Sequence, residues 1–246
     1  MPKLGLSTGL HKSGLTTPGI VTSNLVLKHN YSAGGVLPVS DGAVYVNGTT
    51  EYVSVGTGVN SSLEGDFTIS AWLYATSSIN QTVFSAQDNG SDGVALVIGS
   101  SENVKLILND DTSASTGGPF VIGKWQYLSA SYNDSSKEAN IYVDGVLTAA
   151  SPHSVDKSIS GVATAATIGT LSYGTNTNEF AGYICNVGVW SVALTQPQVK
   201  SIMNKNYAGL TSSETTNLVS WWNLDEGTGT TANDSHGSND GSATFT

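Results

Sequence analysis

Short apolar or alternating runs, separated by clusters of Gly, Asn, Asp, Ser and Thr, make up most of the chain. NLVLKH (24–29), AVYVNG (43–48), EYVSVG (51–56), DFTISAWLY (66–74), QTVFSA (81–86), GVALVIG (93–99) and NVKLILND (103–110) each have strand length. Turn clusters such as DNGSDG (88–93) lie between them. In FTISAWLY, Phe67, Ile69, Ala71 and Leu73 share one face, with Thr68, Ser70, Trp72 and Tyr74 opposite. That alternation predicts a sandwich strand whose second face meets solvent or a ligand.

WQYLSASYNDSSKEANIYVDGVLTAA (125–150) predicts a three-stranded meander. Leu128, Ala130 and Tyr132, then Ala139, Ile141 and Val143, form its apolar face. Asp144-Gly145 favours a type I′ turn, since both central residues need positive φ. ATIGTL (166–171), EFAGYICNVGVW (179–190) and the run from 217 are further strands. Trp221 and Trp222 must point opposite ways, so at least one enters a core. One helix is predicted over 193–209, with Thr195 as N-cap, Pro197 in the first turn, Gly209 as stop, and Val199, Ile202 and Met203 on one face. About a dozen short strands and one short helix define an all-β chain, a large antiparallel jelly-roll β-sandwich.

Composition narrows this picture. Of 246 residues, 39% are apolar and only 11% charged, which suits a turn-rich β protein with an uncharged polar surface. No apolar run approaches the roughly 18 residues of a membrane span. Residues 1–22 hold Gly, Ser, Thr and Leu with Pro2 and Pro18, and read as an extended arm. A loose terminus and an attachment arm fit equally. Residues 23–246 then form the sandwich, with 217–246 as a closing strand and a Gly/Asn/Asp-rich tail. The N-terminus shows neither the apolar h-region nor the cleavage site of a standard signal peptide.

Charge divides unevenly. Lys3, Lys12 and Lys28 are the only charges before Asp41, while all 19 acids and the other six Lys follow. A basic arm suits an acidic partner surface such as a neighbouring copy. The chain has no Arg. An acidic body without Arg is a poor nucleic-acid binder. It is equally unsuited to bidentate capture of a carboxylate, which disfavours a sialidase-like site. Cys185, the sole cysteine, lies in a strand pattern and reads as a small buried hydrophobe.

The order of these pieces resembles the concanavalin A-like lectin/glucanase superfamily, in its laminin-G-like (pentraxin-like) branch. The resemblance rests on VYVNGTTEYVSVG (44–56), FTISAWLYATS (67–77), GKWQYLSASYNDSSKEANIYVDGVL (123–147), FAGYICNVGVWSVALTQPQV (180–199) and LVSWWNLDEGTGTTANDSHGSNDG (218–241). It implies a jelly roll of two curved antiparallel sheets. The last element usually precedes such a domain, and here it follows. Asn47 and Glu51 stand where the family usually has Asp, and Asn186 and Val187 stand where an acid pair is common. These departures weaken any inherited calcium site.

Candidate chemistry follows from these residues. The E-x-D-x-x-E strand of the glucanases is missing, and the Glu residues are scattered beside turns, whereas retaining hydrolysis needs two carboxyls about 5 Å apart. The four His have no metal-ligand spacing. Calcium candidates are Asp88, Asn89 and Asp92 with Asp110 and Asp111, and Asp234, Asn239 and Asp240. The competing reading is that Asp and Asn populate turns. Trp72, Tyr74, Tyr127 and Tyr142 are candidate sugar-stacking rings on outward faces, unless other segments cover them. The expected function is a non-enzymatic virion structural protein, a capsid decoration or tail/fibre component. Residues 1–22 would attach it to other virion proteins or copies of itself, with adhesion to surface glycans added. The M-P-K-L-G-L start with a lectin-like body resembles small marine-phage virion proteins. The alternatives are a calcium-dependent lectin module, extracellular or at a cell surface, and last a glucanase.

Overall fold

A computed structural model of the chain describes residues 31–246 apart from 33–34, 37–39, 79, 89–91, 100, 110–114, 149–150, 156–157, 174–177 and 246. The proposed arm, residues 1–22, and the strand reading of NLVLKH lie outside the described residues.

The strands in chain order are β1 (Tyr31–Ser32), β2 (Gly35–Val36), β3 (Val44–Asn47), β4 (Tyr52–Gly56), β5 (Phe67–Ala75), β6 (Gln81–Asp88), β7 (Asp92–Ile98), β8 (Asn103–Leu108) and β9 (Ser115–Pro119). They continue as β10 (Trp125–Asn133), β11 (Glu138–Val143), β12 (Val146–Leu147), β13 (His153–Ser154), β14 (Ala166–Ile168), β15 (Ala181–Trp190), β16 (Leu218–Trp222), β17 (Thr231–Ala232) and β18 (Gly241–Thr244). Two short helices, α1 (Gln196–Ile202) and α2 (Ser212–Thr215), lie between β15 and β16.

Two antiparallel sheets form a sandwich. The first runs β12-β11-β10-β5-β15-β16, with β13 beside β11 and β3 beside β15. The second runs β17-β18-β4-β14-β6-β7-β8-β9. Between them lies the main core, in which Phe67, Ile69, Leu73, Phe84, Leu96, Leu106, Leu128, Tyr132, Ile141 and Trp222 are buried. These are the inward positions that the alternation selects. The β10–β11–β12 meander forms with Leu128 opposite Val143 and Ala130 opposite Ile141. Asp144 and Gly145 turn the chain with φ of 49° and 72°. The Asp144 carboxylate accepts the Tyr127 N–H at 3.0 Å and the Gln126 amide at 3.2 Å, which ties the turn to β10. It is a turn residue.

One expectation needs correcting. At Thr68, Ser70 and Trp72 the outward face of β5 does not meet solvent, and Tyr74 is half-buried. A second apolar cluster covers it, built from Trp72, Trp125, Tyr127, Tyr142, Trp190, Leu194, Val199, Ile202, Leu218 and Trp221. The polar ends on that face anchor the covering layer. Thr68 donates its hydroxyl to the Val192 carbonyl at 2.7 Å and accepts the Leu194 N–H at 2.8 Å. The indole N–H of Trp72 meets the Met203 carbonyl at 2.8 Å, and that of Trp190 meets the Glu214 carbonyl at 2.9 Å. Three layers therefore stack where two were predicted.

The helix is also shorter than predicted. Thr195 and Gln198 form a capping box at its start, with the Thr195 N–H donated to Gln198 Oε1 at 2.8 Å. It ends at Ile202, and Asn206 caps a separate 3-10 turn over Tyr207–Gly209. Glu214 binds the layer together: its carboxylate takes Lys205 Nζ at 2.6 Å and the Ser201 hydroxyl at 2.6 Å.

The segment after β15 closes both sheets. β16 pairs with the second half of β15, while β3 pairs with the first half. A bulge between Cys185 and Gly188, with Asn186 at φ 49°, marks the change of partner. β18 then crosses to the second sheet and pairs with β4.

Candidate functional site

The four ring candidates fare differently. Trp72, Tyr127 and Tyr142 are 5%, 1% and 4% exposed, because the layer carrying α1 lies over them. A sugar cannot stack on a covered ring, so these three are packing residues. Burial drives the Tyr127 hydroxyl well above the usual phenol range. Tyr74 is half-buried at the edge of that layer, with Trp125 at 5.7 Å and Tyr183 at 6.1 Å between ring centroids. Cys185 is buried, and desolvation pushes its thiol up.

The calcium candidates separate as well. Asn89, Asp110 and Asp111 lie outside the described residues. Asp88 and Asp92 are exposed partners at the end of the β6–β7 hairpin. Asp234 is committed to the backbone. Its Oδ1 accepts N–H groups from Trp221, His236 and Gly237 at 3.0–3.1 Å, and its Oδ2 accepts that of Asn239 at 3.1 Å. Burial opposes its charge, yet these bonds hold its carboxyl below the usual range. Asp240 receives the Asp234 N–H, and the Asn239 carbonyl receives the Trp222 indole. Among the described residues, no cluster of three or more His, Cys, Asp and Glu side chains is placed to hold a metal.

The outer face of the second sheet carries a polar row, covered at Thr167 and Ser85, that leads towards a cleft. Pairing aligns Thr231, Ser242, Ser54, Thr167 and Ser85 in one row across five strands. The row continues into Ala95 and Ile107. The segment after β14 folds back onto this face. Ser172 donates its hydroxyl to the Gln87 carbonyl at 2.6 Å and accepts the Gln87 N–H at 2.7 Å. Beside that segment a cleft of about 240 Å³ opens. Val97, Ile107 and the stem of Lys105 belong to its β7–β8 floor, and Leu171, Tyr173, Asn178 and Asn80 to its walls. Among the described lining residues, Lys105 is the only charged one. An apolar floor, a ring, several amides and one ammonium can stack on an apolar ring face and hydrogen-bond its hydroxyls.

None of these lining residues was a candidate from the sequence. A signal was present in GVALVIG, whose outward positions Ala95 and Val97 are as apolar as its inward ones. A strand without a polar face is covered or engaged on both sides. Tyr173 and Asn178 come from a loop with no pattern of its own.

The fold is a lectin-like jelly roll, and the comparisons agree. The profile of the Laminin_G_3 family, described as concanavalin A-like lectin/glucanases superfamily, matches residues 47–200. The chain belongs to this family. No curated protein matches it. Among solved structures it is similar to a Bacteroides ovatus protein described as a candidate for carbohydrate binding, at 21% identity and a TM-score of 0.66. That match covers 86% of this chain and 60% of the Bacteroides protein. It is also similar to the CBM40 module of the Ruminococcus gnavus IT-sialidase, bound to α2,3-sialyllactose, at 14% identity and a TM-score of 0.53. There the match covers 66% of this chain and 96% of the module. At these identities the likeness is one of fold.

Proposed function

We propose that this protein is a non-catalytic carbohydrate-binding module whose glycan docks in the cleft over β7 and β8. The lining of that cleft carries the reading: the Val97 and Ile107 floor beneath Tyr173, Asn80 and Asn178. Among its described residues the cleft holds no carboxylate, while retaining hydrolysis needs a pair about 5 Å apart. Its volume, below the roughly 300 Å³ of a drug-sized pocket, suits a single sugar unit. With no Arg in the chain, the preferred glycan is neutral. A glycan array run with and without calcium tests this. Neutral glycans should bind, and Tyr173→Ala should weaken binding about tenfold with an unchanged melting temperature. Calcium-dependent binding would count against this cleft, whose described lining holds no carboxylate. A flat array sinks the proposal.

The division of charge supports a second, compatible reading. A basic stretch before an acidic body suits attachment within a large assembly, and we place the module on a phage virion as a capsid decoration or tail/fibre component. Residues 1–22 would engage other virion proteins or neighbouring copies. Deleting them should leave a folded protein that no longer joins particles. Normal incorporation of the truncated chain would refute this second reading alone.

A further inference from the structure

The helical layer covers the outer face of the first sheet only in part. On β5, Trp72 is the last ring beneath it, held to the Met203 carbonyl, and Tyr74, two residues on, is half-buried at its edge. Strand pairing places Tyr74 opposite Tyr183 of β15 and opposite Trp125 of β10, and Tyr183 opposite Tyr45 of β3. Four rings thus stand in one row across four adjacent strands. Their centroids are 5.1 Å apart from Tyr45 to Tyr183, 6.1 Å from Tyr183 to Tyr74 and 5.7 Å from Tyr74 to Trp125. Exposure falls along the row. Tyr45 has 48% of its surface exposed, Tyr183 and Tyr74 are half-buried, and Trp125 is buried. Trp125 also reaches Tyr183 at 6.3 Å, so one covered indole supports both half-buried rings. Rings held in this way have less freedom to lose on binding.

The row runs across the strands, and its three open rings span two strand spacings, roughly 10 Å. That is the reach of an extended ligand, rather than of one sugar or one ion. The rings carry no charge, and each Tyr joins an apolar face to a hydroxyl, which suits a ligand that does the same. Neighbouring rings are turned by 58°, 69° and 53°, so no flat surface can lie on all of them. We propose that Tyr45, Tyr183 and Tyr74 form a second glycan site, which takes a polysaccharide chain that turns along its length, one sugar unit to each ring. A flat ribbon would meet one ring and miss the next. This site rests on its own observations and stands whether or not the cleft over β7 and β8 binds a sugar.

The test is electrophoresis of the full chain through native gels that contain soluble β-1,3-glucan, xylan or amylose, whose chains turn, or hydroxyethylcellulose, whose chain is flatter. At least one of the first three should retard the protein, and hydroxyethylcellulose should not. With oligomers of the retarding glycan, affinity measured by calorimetry should climb from the disaccharide to the trisaccharide and then level, because three rings are open. Tyr45→Ser should weaken binding about tenfold at an unchanged melting temperature, since that ring is half-exposed. Tyr183→Leu keeps apolar bulk against Trp125 and should weaken binding as much. No retardation in any of the three gels overturns the proposal. So does full affinity in both variants, stronger retardation by hydroxyethylcellulose, or a dimer in sedimentation that both variants abolish. Binding lost in Tyr173→Ala but kept in both row variants would also overturn it, and would assign the glycan to the cleft over β7 and β8 alone.

Discussion

Trp221 and Trp222 are adjacent in β16, and each is fully buried in a different core. Successive strand residues face opposite sides, so double burial requires a layer on both sides of the first sheet. Trp222 lies in the sandwich interior and donates its indole N–H to Asn239. Trp221 lies beneath α1, edge-to-face with Trp190 at 5.9 Å and 89°. Gly188 makes that meeting possible, because a Cβ there would come within 2.6 Å of the Trp190 ring and 2.9 Å of Trp221. Either Trp→Ala change should cost about 3–5 kcal/mol in urea unfolding. Hydrogen exchange should tell them apart: Trp221→Ala should first speed exchange in α1, and Trp222→Ala in the sheets.

Glu214 gives the helical layer a pH dependence. Burial works against its charge, but Lys205, Ser201 and Thr211 outweigh it and hold the carboxyl down at about 2. A carboxyl depressed in the folded state adds stability above its unfolded value, here the ordinary 4.5, and loses it as pH falls towards 2. Glu214→Gln should lower stability at pH 7 by on the order of 2 kcal/mol. It should also flatten the acid limb of the stability curve between those two values, measured by urea unfolding at several pH values.

Asp234 makes a contrasting prediction about calcium. Four backbone N–H groups already occupy its carboxylate. Asp234→Ala should therefore destabilise by about 2–3 kcal/mol. The difference in melting temperature between wild type and variant should be the same in calcium and in chelator. A gap that opens only with calcium would return the residue to the list of ligands.

The topology predicts a tolerated rearrangement. Phe245 and Ala43 line the same cleft, so the end of β18 lies near the start of β3. A permutant with residues 211–245 placed ahead of residues 40–210, joined by a short Gly/Ser linker, should keep both sheets. Far-UV circular dichroism and a cooperative melt within a few degrees of the parent would bear this out.

The sandwich was legible because strand alternation is local. Ile69, Leu128 and Ile141 point inward wherever their strands pair, and Asp144-Gly145 sets its hairpin without help. The third layer was not legible. Thr68 and Trp72 read as a polar face, yet their hydroxyl and indole bind Val192, Leu194 and Met203, more than 100 residues away. Periodicity reports which side a residue faces, and not what covers that side. The candidate site escaped for a related reason. Val97 and Ile107 resemble core, and Tyr173 lines the same cleft from a segment that Ser172 ties to β6.

Closing both sheets from the segment after β15 has a consequence for biosynthesis. While residues 217–244 are still inside the ribosome, β15 lacks β16 and β4 lacks β18. The nascent chain therefore waits with two unfinished sheets, and the domain seals only when this stretch emerges. Messages cut short before it should yield protease-sensitive products.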